Sequence, residues 1–302
     1  MVILARKISD RYYPPLLIRR VITPFQAVGG VSTMEDQRKN CIIIDWLTFS
    51  HKLLTADEVI EVLGLTGENW VEESGSNYRY EKRKCFLHMT VHYTEKNHSG
   101  FVPGVCVEMS GQGCREFEEF SEISWSDLLG WIHEESKNPI KIAKPGSIPV
   151  DMVLGVDVLA YDHVADNDIH TVKIAQISRL DLAYDDFEGK LDINMMAAET
   201  RAFNYTTILK RHKIIEDSET ADPDHVGLSV CFGSKSSNVY FRFYDKRVER
   251  ERWDLDHWVR GEIQLRSAAA VGAQRSNGLC VNQFQEFYIE CSGYKYLHEA
   301  DQ

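Results

Sequence analysis

The chain has 302 residues and a formal net charge of −12, from 34 lysines and arginines against 46 aspartates and glutamates. Hydrophobic residues at 43% and aromatics at 11% supply a substantial core, which excludes disorder, collagen and coiled coil, and the length fits one large domain or two ordinary ones. No apolar run approaches the roughly 18 residues of a bilayer span. The short apolar start is followed, not preceded, by Arg6 and Lys7, so it does not read as a signal segment and a cytoplasmic location is expected.

The acidic balance argues against a passive coat on nucleic acid, whose affinity comes from displaced counterions. It leaves room for a basic cleft on an acidic body, with short basic clusters at 210–213 and 246–252. Seven cysteines (Cys41, Cys85, Cys106, Cys114, Cys231, Cys280, Cys291) form no C-x-x-C pair and read as buried free thiols.

In chain order, residues 1–40 read as an arm, broken by Pro14-Pro15, Gly29-Gly30 and a polar run. A β-branched apolar strand is predicted from Cys41 to Ser50. A helix over Leu54–Leu65 follows, with Thr55 and Glu58 spaced as a capping box and Gly64 near its end. Strands are predicted at Phe86–Tyr93 and Val102–Ser110. A helical stretch begins at Arg115–Phe120 and resumes at Trp125–His133, and prolines at 139, 145 and 149 mark a boundary.

The second half repeats that grammar. A strand at Ala175–Asp185 precedes a helix at Asn194–Leu209 and a polar loop at Glu216–His225. Strands at Val226–Phe232, Asn238–Lys246 and Trp258–Arg266 and a helix at Asn282–Cys291 complete it. Each half has a strand carrying an aspartate, Asp45 or Asp181, ahead of a helix, which hints at internal duplication.

Because side chains alternate along a strand, each second-half strand divides into a greasy and a polar face. The polar faces carry Arg179, Asp181 and Asp185; Tyr240, Arg242, Tyr244 and Lys246; and Arg260, Glu262, Gln264 and Arg266. In one sheet these would gather carboxylates and an amide, donors for a hard ion such as Mg²⁺ or Mn²⁺, with cations for phosphate and tyrosines as nucleophiles. That combination fits phosphodiester cleavage through tyrosine. An open antiparallel sheet with one wet face alternates in the same way, so the pattern supplies candidates only.

Other constellations are weaker. His88 and His92 fall on one face of a predicted strand without a third ligand, and no H-E-x-x-H is present. Gly111-Gln112-Gly113 follows a strand and opens a helix, but the third glycine of a dinucleotide loop is absent, so a tight turn is expected. Residues 233–238 read as a hairpin connection whose Lys235 could touch a DNA backbone.

At these residues the chain resembles the replication initiation factor family, the Rep_trans-type initiators of rolling-circle plasmids, integrative elements and filamentous phages. The matching pieces are IDWLTFS (44–50), VEMSGQGCREFE (107–118), SRLDLAYDD (178–186), FGSKSSNVYFRFYDKRVE (232–249) and WVRGEIQLR (258–266). The resemblance implies a metal-dependent nickase that opens a hairpin at a double-stranded origin and cuts one strand. A tyrosine stays linked to the new 5′ end, and the freed 3′-OH primes host polymerase. The family's tyrosine falls on Tyr244, flanked by Arg242 and Lys246 as its activating cations. The resemblance puts the Mg²⁺ or Mn²⁺ ligands at Asp181 and Glu262, supported by Asp185 and Gln264. Arg179, Arg260 and Arg266, with Lys235, would hold DNA, and Tyr240 is the rival nucleophile. A homodimer and a host helicase are expected partners.

The expected architecture is α+β, with two related halves that are each a mainly antiparallel sheet with helices packed on one face. Residues 1–40 form the arm, 41–140 a supporting or DNA-reading half, and 150–302 the nickase half. The main alternative is an origin- or operator-binding protein of the same fold that does not cut. A salt-bridged acidic interaction protein is a third.

Overall fold

The computed structural model of the protein describes residues 42–75, 80–94, 104–143, 169–207, 209–219, 222–274 and 295–296. The expected arm and the last helix at 282–291 lie outside these residues.

The chain opens with strand β1 (Ile42–His51) and helix α1 (Ala56–Val62). The Thr55 side chain accepts from Glu58 N while Glu58 returns to the Thr55 backbone, so the predicted capping box starts this helix. Strands β2 (Val71–Ser74), β3 (Lys82–Phe86), β4 (Met89–Tyr93) and β5 (Val105–Met109) follow. Helices α2 (Gly111–Phe120) and α3 (Trp125–Ser136) close the first half. A separate hairpin pairs β6 (Pro139–Ala143) with β7 (Ile169–Lys173).

The second half runs β8 (Ala175–Asp186), α4 (Ile193–Arg201), β9 (Tyr205–Thr206), β10 (His212–Glu219), β11 (Asp222–Gly233) and β12 (Val239–Asp245). A short helix α5 (Lys246–Glu249), β13 (Val259–Arg266), α6 (Ala268–Gln274) and β14 (Lys295–Tyr296) complete the described elements.

Ten strands form one sheet in the order β10-β11-β12-β13-β8-β1-β5-β4-β3-β2, with every neighbouring pair antiparallel. Outward from the β1–β8 junction both flanks have the same connectivity: the last strand of each meander returns to lie beside its first. The flanks share a single hydrophobic core, in which Leu47, Phe49, Val107 and Phe117 join Leu182, Phe232, Phe241 and Ile263. Helices α1, α2, α3, α4 and α6 each contribute buried residues to this core, whereas α5 and the first turn of α2 border the cleft on the polar side.

β2, β6, β7 and α6 form where no element was expected, β6 at a proline read as a boundary, and three expected elements take another form. The strand expected at Phe86–Tyr93 is a hairpin, reversed at Leu87 and His88, with Leu87 at φ +52°. Buried Glu116 of α2 clamps that turn, accepting from His88 N at 2.8 Å and lying 2.6 Å from His88 Nδ1. His88 is therefore a turn residue and does not share a strand face with His92. Of the loop expected at Glu216–His225, residues 216–219 and 222–225 are instead strand in the β10–β11 pair, because backbone pairing at the sheet edge overrides polar composition. The helix expected to reach Leu209 ends at Arg201, after which Phe203 adopts φ +57° and β9 begins.

The two glycines of the SGQGCR stretch have a packing explanation. A Cβ on Gly113 would stand 2.4 Å from the His88 carbonyl oxygen, and one on Gly111 would stand 2.9 Å from Asp45 Oδ1. Ser110 caps the helix by accepting from Gly113 N, so this is a close-packed helix start and not a dinucleotide loop.

Candidate active site

On the polar side, the register aligns the predicted faces rung by rung. Tyr244 pairs with Arg260 and Arg260 with Asp185; Arg242 pairs with Glu262; Tyr240 pairs with Gln264 and Gln264 with Asp181. Tyr244, Arg242, Lys246, Asp181, Glu262, Arg179, Arg260 and Asp185 all line one cleft of about 590 Å³. Lys235 and Arg266 do not line it. Lys235 is exposed in the hairpin loop, and Arg266 lies one rung beyond Gln264, opposite Arg179. The cleft holds seven arginines and lysines against five carboxylates, a local excess of positive charge on an acidic protein.

Tyr244 is 3% exposed, and its hydroxyl donates to Glu262 Oε1 at 2.5 Å while accepting from Lys246 Nζ at 3.1 Å. The Arg242 guanidinium lies 4.0 Å from the centre of its ring. Cations beside a tyrosine were expected to lower its pKa, and the net effect here is the reverse. Burial and the Glu262 charge push the Tyr244 hydroxyl well above its ordinary range. Burial, with the nearby charge of Arg260, in turn lowers the Lys246 ammonium. The tyrosine thus rests protonated, with its proton already directed at a carboxylate. Tyr240 does not line the cleft, and burial with a hydrogen bond to Cys231 raises its hydroxyl too.

Arg260 is buried and fully engaged. Its Nε and Nη2 donate to the two oxygens of Asp185 at 2.7 and 2.6 Å, and its Nη1 donates to Asp45 Oδ1 at 3.3 Å. Trp258 Nε1 donates to Asp185 at 2.7 Å, so Asp185 anchors this array. Arg179 donates from Nε and Nη2 to Asp181, the Nη2 bond at 2.5 Å. Gln264 sits beside them; with its amide turned, its carbonyl accepts from Arg179 and its NH₂ donates to the Lys235 carbonyl at 3.3 Å, an orientation assigned from the hydrogen bonds.

Asp45 was not singled out as a site residue. Strict alternation puts it on the apolar side with Leu47 and Phe49. The β1–β8 ladder slips between Ile44 and Trp46, Asp45 is the extra residue, and the bulge turns its carboxylate into the cleft. The one available sequence signal was a lone carboxylate of the wrong parity in an otherwise apolar strand.

Asp45, Asp181 and Glu262 are close enough to feel one another. Burial raises the Asp181 and Glu262 carboxyls, and the Asp45 charge raises both further. Oxygen donors that repel in a buried cleft are the donor set for a hard divalent cation. As the side chains stand, no three histidines, cysteines or carboxylates among the described residues close around a point. The donor chemistry fits such an ion, with Arg179 and Arg260 holding the carboxylates meanwhile.

Two family models match the chain: one described as replication initiation factor, over residues 175–292, and one described as rolling circle replication initiation protein N-terminal domain, over residues 41–131. The chain belongs to the replication initiation factor family. The two matched segments cover both flanks of the sheet, including every cleft residue named above. A relative named "Putative DNA relaxase NicK", from Bacillus subtilis (strain 168), is 24% identical over 238 residues, which is 76% of this chain and 56% of that protein. This chain therefore spans little more than half of that relative's length. A solved structure of a rolling circle replication initiator protein from Geobacillus stearothermophilus superposes with a TM-score of 0.62 at 24% identity, covering 84% of this chain and 86% of that one. That likeness establishes the shared fold. No helix among the described residues is long and apolar enough to cross a membrane.

Proposed function

We propose that this protein initiates rolling-circle replication by nicking one strand of an origin, with Tyr244 as the nucleophile. The observation that carries the reading is the Tyr244 hydroxyl donating to Glu262 in a cleft with an excess of cations. The names of its relatives, a DNA relaxase and a rolling circle initiator, support the same substrate class.

In this mechanism Glu262 Oε1 takes the phenolic proton as the Tyr244 oxygen attacks phosphorus. The proton cannot leave beforehand, because burial holds the hydroxyl protonated; it moves when negative charge is transferred to the phosphate. Lys246, 3.1 Å from the same oxygen, steadies charge on it, and Arg242 holds the ring in place. The bond to the 3′ oxygen breaks, leaving a 5′-phosphotyrosine and a 3′ end that becomes the primer for host polymerase. Arg179 neutralises the approaching phosphate backbone from the rim, while Arg260 aligns Asp185 and Asp45; Lys235 and Arg266 would meet DNA further from the chemistry. Asp181 and Glu262, joined by Asp45, would hold Mg²⁺ or Mn²⁺. When bound, that ion supplies Lewis-acid polarisation of the scissile phosphate. Origin DNA, double-stranded with a hairpin and single-stranded at the nick, is the substrate on this reading, and a second copy of the chain and a host helicase are its partners.

The deciding experiment incubates supercoiled DNA carrying the protein's own element's origin with Mg²⁺ or Mn²⁺ and wild type, Tyr244→Phe or Tyr240→Phe. The expected result is nicking with a covalent 5′ adduct in wild type and Tyr240→Phe, lost in Tyr244→Phe. An adduct surviving in Tyr244→Phe moves the nucleophile. Tight origin binding with no cleavage by any form makes the origin- or operator-binding alternative correct.

A further inference from the structure

Two aromatic stacks border Tyr244 in the cleft; Trp46 and Phe187 are half-buried there, and Trp258, itself buried, backs Phe187. In the first, the Arg179 guanidinium lies 4.0 Å from the centre of the Trp46 ring, whose indole N–H is fixed by donation to Thr48 Oγ1 at 2.8 Å. In the second, Phe187 and Trp258 stack with centroids 5.3 Å apart and planes 23° from parallel, and Trp258 is held by Asp185. Trp46, Phe187 and Trp258 all line the cleft. Large rings at the wall of a polar cleft, each locked by a hydrogen bond or a stack, call for an apolar ligand surface.

The sheet fixes their spacing. Trp46 is opposite Asp181, whereas Phe187 follows the last residue of β8. Six residues of strand separate those levels, about 20 Å at about 3.3 Å per residue. The Tyr244–Arg260–Asp185 rung lies between them. A phosphate at Tyr244 would therefore have an aromatic stack on each side of it along the strand direction, at a separation of a few nucleotides.

Resting on the nicking reading, we propose that the cleft grips single-stranded DNA, with a base on one side of the scissile phosphate stacked against Trp46 and Arg179 and a base on the other side stacked against Phe187, which the buried Trp258 supports. Every base has a π-face, so this grip tolerates sequence, and base faces are available only where the duplex has opened. Arginine planes serve as stacking surfaces for bases as aromatic rings do. The cleft then tests strand opening, and recognition of a particular origin falls to other surfaces.

The test measures binding of the full-length protein, without divalent ion so that nothing is cut, to a fluorescent origin oligonucleotide and its duplex. One abasic nucleotide is moved through the oligonucleotide a position at a time. Wild type is expected to prefer the single strand and to lose about tenfold in affinity at two abasic positions flanking the nick. Phe187→Leu, which keeps apolar bulk against Trp258, should lose the penalty at one of them, and Trp46→Leu at the other. Phe187→Tyr should keep it. Equal penalties in wild type and both leucine variants, equal affinity for duplex and single strand, or loss of the penalty in Phe187→Tyr would each overturn the inference. Nicking of the supercoiled origin, assayed in parallel, separates the two ideas: nicking without abasic sensitivity removes the stacking alone, and abasic-sensitive binding without nicking removes the nickase reading alone.

Discussion

The two flanks of the sheet have the same strand order and differ in what they place on the polar side. Counting outward from the Leu47–Leu180 pair at the junction, the second flank presents Asp181 beside Gln264 and Tyr240, then Glu262 beside Arg242. The first flank presents Thr48 beside Glu108 and Thr90 at the same rung, then Cys106 beside His92. One backbone plan thus carries an array of paired charges on one side of the junction and mainly neutral polar groups on the other. The second flank buries Asp185, Asp186, Lys246 and Arg260 on or beside its polar face; the first buries Thr48, His51 and His92 on its strands, with Glu116 and Glu135 on its helices. Connectivity makes a flat polar surface, and only the residues placed on it make a site. The first flank still contributes: Asp45, Trp46 and the start of α2 form the far wall of the cleft.

The largest expected effect falls on the charged flank. Arg260→Met leaves Asp185 buried with one donor and Asp45 without its cation, so chemical denaturation should show a loss of about 3–5 kcal/mol. A loss under about 1 kcal/mol would mean that this array is no more structural than the neutral flank. Next, Asp45→Asn should lower nicking about 10- to 100-fold with the fold intact by circular dichroism, since it removes one charge of the donor set and one partner of Arg260. Nicking at the wild-type rate would confine the site to the second flank.

A smaller effect has the opposite sign. Burial raises the Asp181 carboxyl, so the folded protein holds its proton more tightly than the unfolded chain does. The stability this group contributes is present below the ordinary carboxylate range and falls as pH rises through and above it. At neutral pH, Asp181→Asn should therefore raise the unfolding midpoint by about 2–4 °C while abolishing nicking, and the gain should shrink in acid. Added Mg²⁺ should stabilise wild type and leave Asp181→Asn unchanged in the same thermal scans.

The smallest concerns the neutral flank. Burial lowers the His92 pKa below its ordinary 6.5, so the neutral ring is favoured in the fold. Its contribution is complete above about 6.5 and is lost as pH falls through that value and the folded one. His92→Asn should flatten the decline of the unfolding midpoint between neutral and mildly acidic pH without touching nicking. An unchanged slope would assign the decline to other groups.

Much of the charged flank was legible in the sequence because β12, β13 and the part of β8 from Arg179 onward keep their alternation, the β8 register shift at Ser178 falling just before the site residues. Arg179, Asp181, Arg242, Tyr244, Arg260 and Glu262 could be put on polar faces by parity alone, and one sheet then brings them into one cleft. The capping box of α1 was equally local, needing only Thr55 and Glu58 at the right spacing. The Leu87 turn was not legible. A non-glycine residue at positive φ has no sequence signal, and it is held by Glu116, distant in the chain.

Composition, strand parity and short-range caps determined the fold class, the polar faces and most of the cleft residues, because each depends on neighbours within a few positions. Tertiary structure decided what depends on distant segments. The junction of β1 with β8 fuses the two flanks into one sheet, and its bulge moves Asp45 from the apolar parity into the cleft. Burial and the charge of Glu262 set the protonation of Tyr244 even with Arg242 and Lys246 against it, because desolvation in a closed sheet outweighs the attraction of nearby cations.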